Sequence, residues 1–157
     1  MILELQLLSL LDRETSSMEK LLDILKREYD ALLAGDVDEL ERVTSEKNEA
    51  IVAQTQATQE RQDATSAASY SGEDPDFEKL IDTCENREQL TAYFSNLMIL
   101  ARACQTENRN NGRLIIQKQR RAKGALDVIR QSENNTPTYS IQGKASDTLE
   151  TRSLGKA

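Results

Sequence analysis

Apolar residues recur at alternating steps of four and three along residues 88–131, and this pattern constrains the fold more than any other feature. A spacing near ~3.5 residues is typical of a helix packed lengthwise against partner helices. Two consecutive steps of four, at Asn111, Ile115 and Gln119, form a stutter that locally unwinds a left-handed supercoil. Asn108 and Asn111 are predicted to be buried and to set the helix register. The seam positions are Leu90, Phe94, Leu97, Ala101, Cys104, Asn108, Asn111, Ile115, Gln119, Ala122, Leu126 and Ile129.

The beginning of the chain predicts a helical hairpin. A first helix is expected over residues 2–34, and Gly35 ends it because glycine adopts the left-handed conformation at little cost. Asp36 is the predicted N-cap of a second helix and forms a capping box with Glu39. So short a connection makes the two helices antiparallel neighbours. The predicted seam of the first helix is Leu8, Leu11, Thr15, Met18, Leu22, Leu25, Tyr29 and Leu32, widened by Leu7, Leu21, Ile24 and Leu33.

The second helix is expected over residues 36–68. Its second half, residues 54–66, consists almost entirely of polar residues and alanine, so it has little to bury. We therefore expect this half to fray or to project beyond its partners.

A third helical region is expected over residues 75–132, with Asp74 as N-cap and Pro75 at the first position. The sequence leaves open whether this region is continuous or broken near Asn86. Residues 1–132 would thus form one helical bundle. Polar composition predicts that residues 133–157 are a flexible tail.

Composition agrees with an all-α fold, an elongated antiparallel bundle with coiled-coil-like packing and a polar C-terminal tail. Only 4% of the 157 residues are aromatic, with 6 glycines and 2 prolines. The net charge of −7 argues against general affinity for nucleic acid. The mean hydropathy of −0.63 suits a bundle with much surface for its core.

Localisation is predicted from the cysteines and the N-terminus. Cys84 and Cys104, if carried by one continuous helix, would lie about 30 Å apart, so we predict reduced thiols in the cytoplasm. The first residues carry no basic segment, which argues against a signal peptide. No apolar run approaches the ~18 residues that a membrane span requires.

The sequence offers no catalytic chemistry. It contains no histidine, which excludes Glu-x-x-His di-iron sites, imidazole-dependent zinc sites and histidine-dependent triads. Glycine-rich phosphate loops are also missing. We therefore predict a protein that is not an enzyme and that uses no cofactor or metal.

A basic segment, residues 109–123, contains six lysines and arginines and no acid. It is either a solvated face or a surface for an acidic protein, RNA or lipid head groups. No aromatic residue interleaves the charges, so we favour the solvated face or an acidic protein partner. The six residues are Arg109, Arg113, Lys118, Arg120, Arg121 and Lys123.

The same region has more apolar surface than one seam needs. A helix with such a surplus is a candidate for binding another helix, although each residue could instead belong to the bundle's own core. The candidates from this pattern are Leu114, Ile115, Leu126, Val128 and Ile129.

Several short motifs resemble those of the FlgN-type flagellar export chaperones. The Leu-Leu-Ala-Gly-Asp run at residues 32–36 resembles the hairpin of that family, and a Tyr-x-x-x-Gly element is present at Tyr139 and Gly143. Family members often carry Asp-Ala after the tyrosine, where this chain has Ser140 and Ile141. The remaining matches are Leu40, Lys47 and Ile51 in the hairpin, and Asn111, Gly112, Leu114, Ile115, Leu126 and Ile129 in the last helix.

This resemblance implies a cytoplasmic, non-enzymatic chaperone, a monomer or weak dimer that needs neither nucleic acid nor membrane insertion. It would bind the C-terminal segments of hook-associated proteins, which form the hook–filament junction, prevent their premature assembly and deliver them to the flagellar type III export machinery. A client helix would lie along the wide apolar face. The predicted client-binding residues are Leu114, Ile115, Leu126, Val128, Ile129, Tyr139 and Ile141.

Two other functions stay open. The seam is compatible with a self-assembling coiled-coil scaffold or adaptor. The basic segment is compatible with a helical protein that binds RNA or lipid.

Overall fold

A computed structural model describes residues 2–68 and 76–135, which form helices joined by short turns. The helices are α1 (Ile2–Ala34), α2 (Val37–Ala68), α3 (Phe77–Asp82) and α4 (Arg87–Asn135). Within these two ranges there is no strand, so the predicted all-α class is confirmed. The chain divides into two units, Met1–Gln117 and Lys118–Ala157.

The third helical region is broken. Residues 83–86 form a turn between α3 and α4, which settles the alternative that the sequence left open. The cap also differs from expectation, because the N-cap of α3 is Asp76, whose carboxylate accepts from the Glu78 N–H at 3.0 Å. The predicted cap residues Asp74 and Pro75 lie outside the described residues.

The α1–α2 connection is built as a glycine-terminated helix end. Gly35 has φ = 66°, and the Asp36 N–H donates to the Ala31 carbonyl at 3.2 Å, which is the six-to-one bond of a Schellman motif. The Asp36 carboxylate accepts from the Glu39 N–H at 3.0 Å, as predicted. The capping box is only half made, because the Asp36 N–H is already used and the Glu39 carboxylate pairs with Arg27 at 3.2 Å.

The buried stripe of α1 is displaced from the predicted seam. Leu11, Met18, Leu25 and Leu32 are buried as expected. The alternate positions are Leu7, Glu14, Leu21 and Glu28 rather than Leu8, Thr15, Leu22 and Tyr29. Thr15 is still buried, Leu8 and Leu22 are half-buried, and Tyr29 is 38% exposed. The cause is that glutamates occupy core positions, which a hydrophobic pattern does not reveal.

One of these glutamates joins three helices. The Glu28 carboxylate accepts from Lys47 Nζ of α2 at 3.1 Å and from Asn111 Nδ2 of α4 at 2.7 Å. Asn111 also donates to the Leu25 carbonyl at 2.8 Å and is fully buried, as predicted. Asn108 is exposed, so that part of the seam prediction is wrong. The buried Asn111 is held by an acid on α1, and this contact sets the axial register of α4 against α1.

A second glutamate holds the polar half of α2. Glu14 accepts from Arg61 Nε at 2.6 Å and from Thr58 Oγ1 at 2.8 Å. The Arg61 guanidinium lies over the Phe77 and Phe94 rings, 5.1 and 5.6 Å from their centroids. The expectation that residues 54–66 fray or project is therefore wrong, because Thr58 and Arg61 of this stretch are paired with a buried acid of α1.

Side-chain contacts give the helix directions in the first unit. Residue numbers fall along α2 as they rise along α1, so these helices are antiparallel. Glu4 accepts from the Glu85 N–H at 2.6 Å, whereas the Met18 carbonyl accepts from the Cys104 thiol at 3.5 Å, so α4 is parallel to α1. The fully buried apolar side chains are Leu7, Leu11, Ile24 and Leu25 of α1, Val43 of α2, and Leu90 and Leu97 of α4.

The short helix α3 adds Phe77, Leu80 and Ile81 to this core. Burying each side chain stabilises by about 1.5–3 kcal/mol, while fixing each residue's backbone costs about 1–2 kcal/mol. For a helix of 6 residues these two terms are of similar size.

Both cysteines are free thiols, as predicted. They do not share a helix, because Cys84 lies in the turn before α4 and Cys104 on α4. Burial raises the pKa of both thiols, and for Cys84 the negative charge of Glu4 raises the pKa further.

Removing the cation from the three-helix junction should be costly. Lys47→Met leaves the Glu28 carboxylate buried without its charge partner, so we expect the free energy of unfolding to fall by about 2–4 kcal/mol in urea titrations. Arg42→Ala, which removes an exposed ion pair to Glu39, is the control and should cost less than about 1 kcal/mol. Equal effects of the two changes would contradict the role given to Glu28.

Glu14→Leu should free the second half of α2. With Arg61 left buried and unpaired, amide hydrogen exchange in residues 54–68 should accelerate more than in the first half of α2. Glu19→Leu, at an exposed position of the same helix, should leave the exchange pattern unchanged. Unaltered exchange in the Glu14 variant would show that other contacts hold this half.

Candidate protein-binding face

An apolar strip lies on the described part of the second unit, residues 118–135, which is the last part of α4. With about 100° per residue, four apolar side chains share an arc of about 100° on this helix. Leu126 is 54% exposed and Ile129 is 53% exposed. The apolar strip consists of Ala122, Ala125, Leu126 and Ile129, all exposed.

Val128 lies off this strip although it was predicted to belong to the same face. It is 66% exposed, but helical geometry sets it about 110° from the centre of the strip. The face that one partner helix could cover is therefore narrower than the predicted set.

Basic residues border the apolar strip on both sides. Arg121 lies along one edge, and Lys123 and Arg130 lie along the other. Asp127 lies on the far side of the helix. An apolar strip between cations is complementary to an amphipathic helix whose apolar stripe has acidic borders.

Two predicted site residues belong to the first unit instead. Leu114 and Ile115 are half-buried, and Ile115 follows the buried Asn111 by four residues on the same face. These two side chains thus share the side of α4 that packs on its own bundle. The neighbouring Ile116 is 50% exposed. The last two predicted residues, Tyr139 and Ile141, lie outside the described residues.

Sequence reasoning did not single out the start of α1. There Ile2 is 86% exposed and Leu5 is 63% exposed. Their positions outside the heptad seam were the available signal. Isolated apolar side chains at a surface are ordinary, so they define no site by themselves.

The described residues contain no cluster of side chains that could hold a metal ion. Across the same ranges, no helix combines the length and the apolar character that crossing a membrane requires.

The sequence model of a family described as FlgN protein matches residues 1–147. No curated protein matches the chain, and no solved structure matches it. Because the family match spans nearly the whole chain, this protein belongs to the FlgN family of flagellar export chaperones.

Proposed function

We propose that this chain is a cytoplasmic, non-enzymatic chaperone for the proteins of the hook–filament junction. It binds their C-terminal segments as helices, prevents premature assembly and delivers them to the flagellar type III export machinery. Membership of the FlgN family supports the chaperone role. The observation that carries the choice of site is the exposed apolar strip of Ala122, Ala125, Leu126 and Ile129.

The apolar strip supplies a limited binding energy, which suits a partner that must be released. Leu126 and Ile129 are about half exposed, so covering the remainder contributes about 0.8–1.5 kcal/mol for each side chain. Ordering a disordered client segment opposes binding by several kcal/mol. Further contacts are therefore needed for useful affinity, and we assign part of them to the charged borders.

The basic borders select the client helix. A segment with acidic residues beside its apolar stripe would place them against Arg121 on one edge and Arg130 on the other. Rim charges of this kind act mainly on the association rate and on partner choice.

Tyr139 and Ile141 are the proposed contacts of the tail. A tyrosine offers a large apolar surface and a hydroxyl, which suits a site that binds and releases a helix. Leu114 and Ile115 remain candidates for the client contact, although their half-buried state supports a role in the bundle as well.

A self-assembling scaffold is the alternative, in which the apolar strip covers a second copy of the chain. Sedimentation without client distinguishes the two, since the chaperone is proposed to be a monomer or weak dimer. Binding that weakens steeply with salt and requires RNA or anionic lipid would favour the third function, through residues 109–123.

Charged substitutions on the strip test the site. Leu126→Asp and Ile129→Asp should each weaken binding of a junction protein's C-terminal segment about a hundredfold in calorimetry, because the new carboxylate is desolvated by the client. Val128→Asp, off the strip on the same helix, is the matched control and should change Kd less than about threefold. All three positions are exposed, so helical circular dichroism should stay constant.

Equal losses at Val128 and Ile129 would show that the contact is not this strip. Unchanged binding in all three variants would place the client contact outside this strip.

The tail is tested by changing Tyr139 and Ile141 to alanine together. We expect Kd for the same client segment to rise about tenfold, with no change in circular dichroism. The variant Thr138→Ala serves as the control for a change beside the tyrosine. Full affinity in the double variant would remove the tail from the binding site.

A further inference from the structure

Among the described residues, the short helix α3 is held by apolar contacts and by the cation–π contact between Arg61 and Phe77. Phe77, Leu80 and Ile81 are 6%, 9% and 3% exposed, whereas Glu78 and Lys79 face solvent. Among residues 2–68 and 76–135, no hydrogen bond or ion pair joins α3 to another helix. A polar contact follows in the turn after α3, where Glu4 of α1 accepts hydrogen bonds from Glu85 and Asn86.

The place where α3 lies is formed by the other helices. Phe77 contacts Phe94 of α4 with ring centroids 4.9 Å apart and stands beneath the Arg61 guanidinium. Arg61 is positioned by Glu14, through bonds of 2.6 and 3.4 Å, and not by α3. We define the seat as Arg61 of α2, Phe94 of α4 and the core residues that α3 covers, so its lining comes from helices other than α3.

We propose that α3 is a strap that opens separately from the rest of the first unit, and that the seat then binds an amphipathic helix of a partner protein. The partner's pattern is an aromatic residue followed by aliphatic residues three and four positions later, which is the pattern of Phe77, Leu80 and Ile81 themselves. This surface lies in the first unit and is independent of the apolar strip in the second. It adds a second docking site to the chaperone.

The short length of α3 indicates that a longer partner helix can replace it in the seat. A helix of 6 residues gains little from its own backbone, because isolated helices shorter than about 12 residues are marginal in water. A longer partner helix with the same three anchors would fill the same seat and bring more stable helical structure. The guanidinium above the seat favours an aromatic first anchor through a cation–π contact.

Two native thiols report the opening. Cys84 lies in the turn that ends α3 and donates to the Leu80 carbonyl at 3.4 Å. Cys104 is buried between α4 and α1 and contacts the Met18 carbonyl. Cys84 is half-buried and Cys104 is buried. Opening of the strap would increase the exposure of Cys84 alone, whereas unfolding of the unit would expose both thiols.

The first experiment measures the labelling rate of each thiol by a chromogenic disulfide, with mass spectrometry to assign the site. Phe77→Ala should accelerate labelling of Cys84 about tenfold and leave the Cys104 rate unchanged, because the proposed strap opens without unfolding the rest of the unit. Lys79→Ala, at an exposed position of α3, is the matched control and should change neither rate. Acceleration of both thiols together, or of neither, would overturn the separate opening.

The second experiment supplies the strap in trans. The probe is a fluorescein-labelled peptide of residues 76–86 with Cys84→Ser and Glu78→Lys, closed by a lactam from position 78 to Asp82 so that little ordering cost remains. It should bind the Phe77→Ala chain about tenfold more tightly than the unchanged chain, in which α3 competes. Adding Arg61→Gln to the Phe77→Ala chain should weaken binding of the peptide again, and circular dichroism checks that the chain stays folded.

A peptide in which Phe77 is replaced by alanine is the specificity control and should bind neither chain. Absence of binding by the first peptide, or equal affinity for the two chains, would overturn the seat as a docking site. Client binding at the apolar strip is measured separately and does not depend on either result.

Discussion

The carboxylate of Glu28 is the contact on which the arrangement of the first unit depends. It is almost completely buried and accepts from Lys47 of α2 and from Asn111 of α4. A buried charge is tolerated only where it is paired and hydrogen-bonded, so both neighbours must reach this level of α1. Apolar heptads alone would permit several registers, because a slide by seven residues preserves their pattern. The single acid removes that freedom.

Polar and apolar contacts have different roles in this protein. Glu4 joins α1 to the turn before α4, Glu14 joins α1 to α2, and Glu28 joins α1 to both α2 and α4. Breaking any of these pairs would leave a buried charge without its partner, which is costly. The paired arrangement of the helices is therefore favoured over alternatives. The apolar strip and α3 involve no such pairs among the described residues. Apolar contacts carry little directional demand and are exchanged more readily, which suits the proposed binding and release of a partner helix.

The turn at Gly35 could be predicted from the sequence because its residue types report local backbone conformation. The axial register of α1 against its neighbouring helices could not be predicted from the sequence, since Glu28 resembles a solvent-facing residue until its partners are known. The same ambiguity hid the packing of Arg61. At the candidate site, periodicity identified Ile129 as part of a surplus apolar face. It grouped Val128 with it because a count of apolar residues does not measure the angle between them.

The tight turn at Gly35 also determines the order in which the chain can assemble. Ion pairs across the α1–α2 hairpin join residues 12 to 47 positions apart, whereas the contacts between α1 and α4 span 83 to 86 positions. Closing the shorter loops costs less chain entropy, so the hairpin has the lower contact order. As the polypeptide emerges from the ribosome, α1 and α2 can pair before α4 has been synthesised. The α1–α2 hairpin formed during synthesis then exposes the apolar stripe on which α4 packs once it has been synthesised.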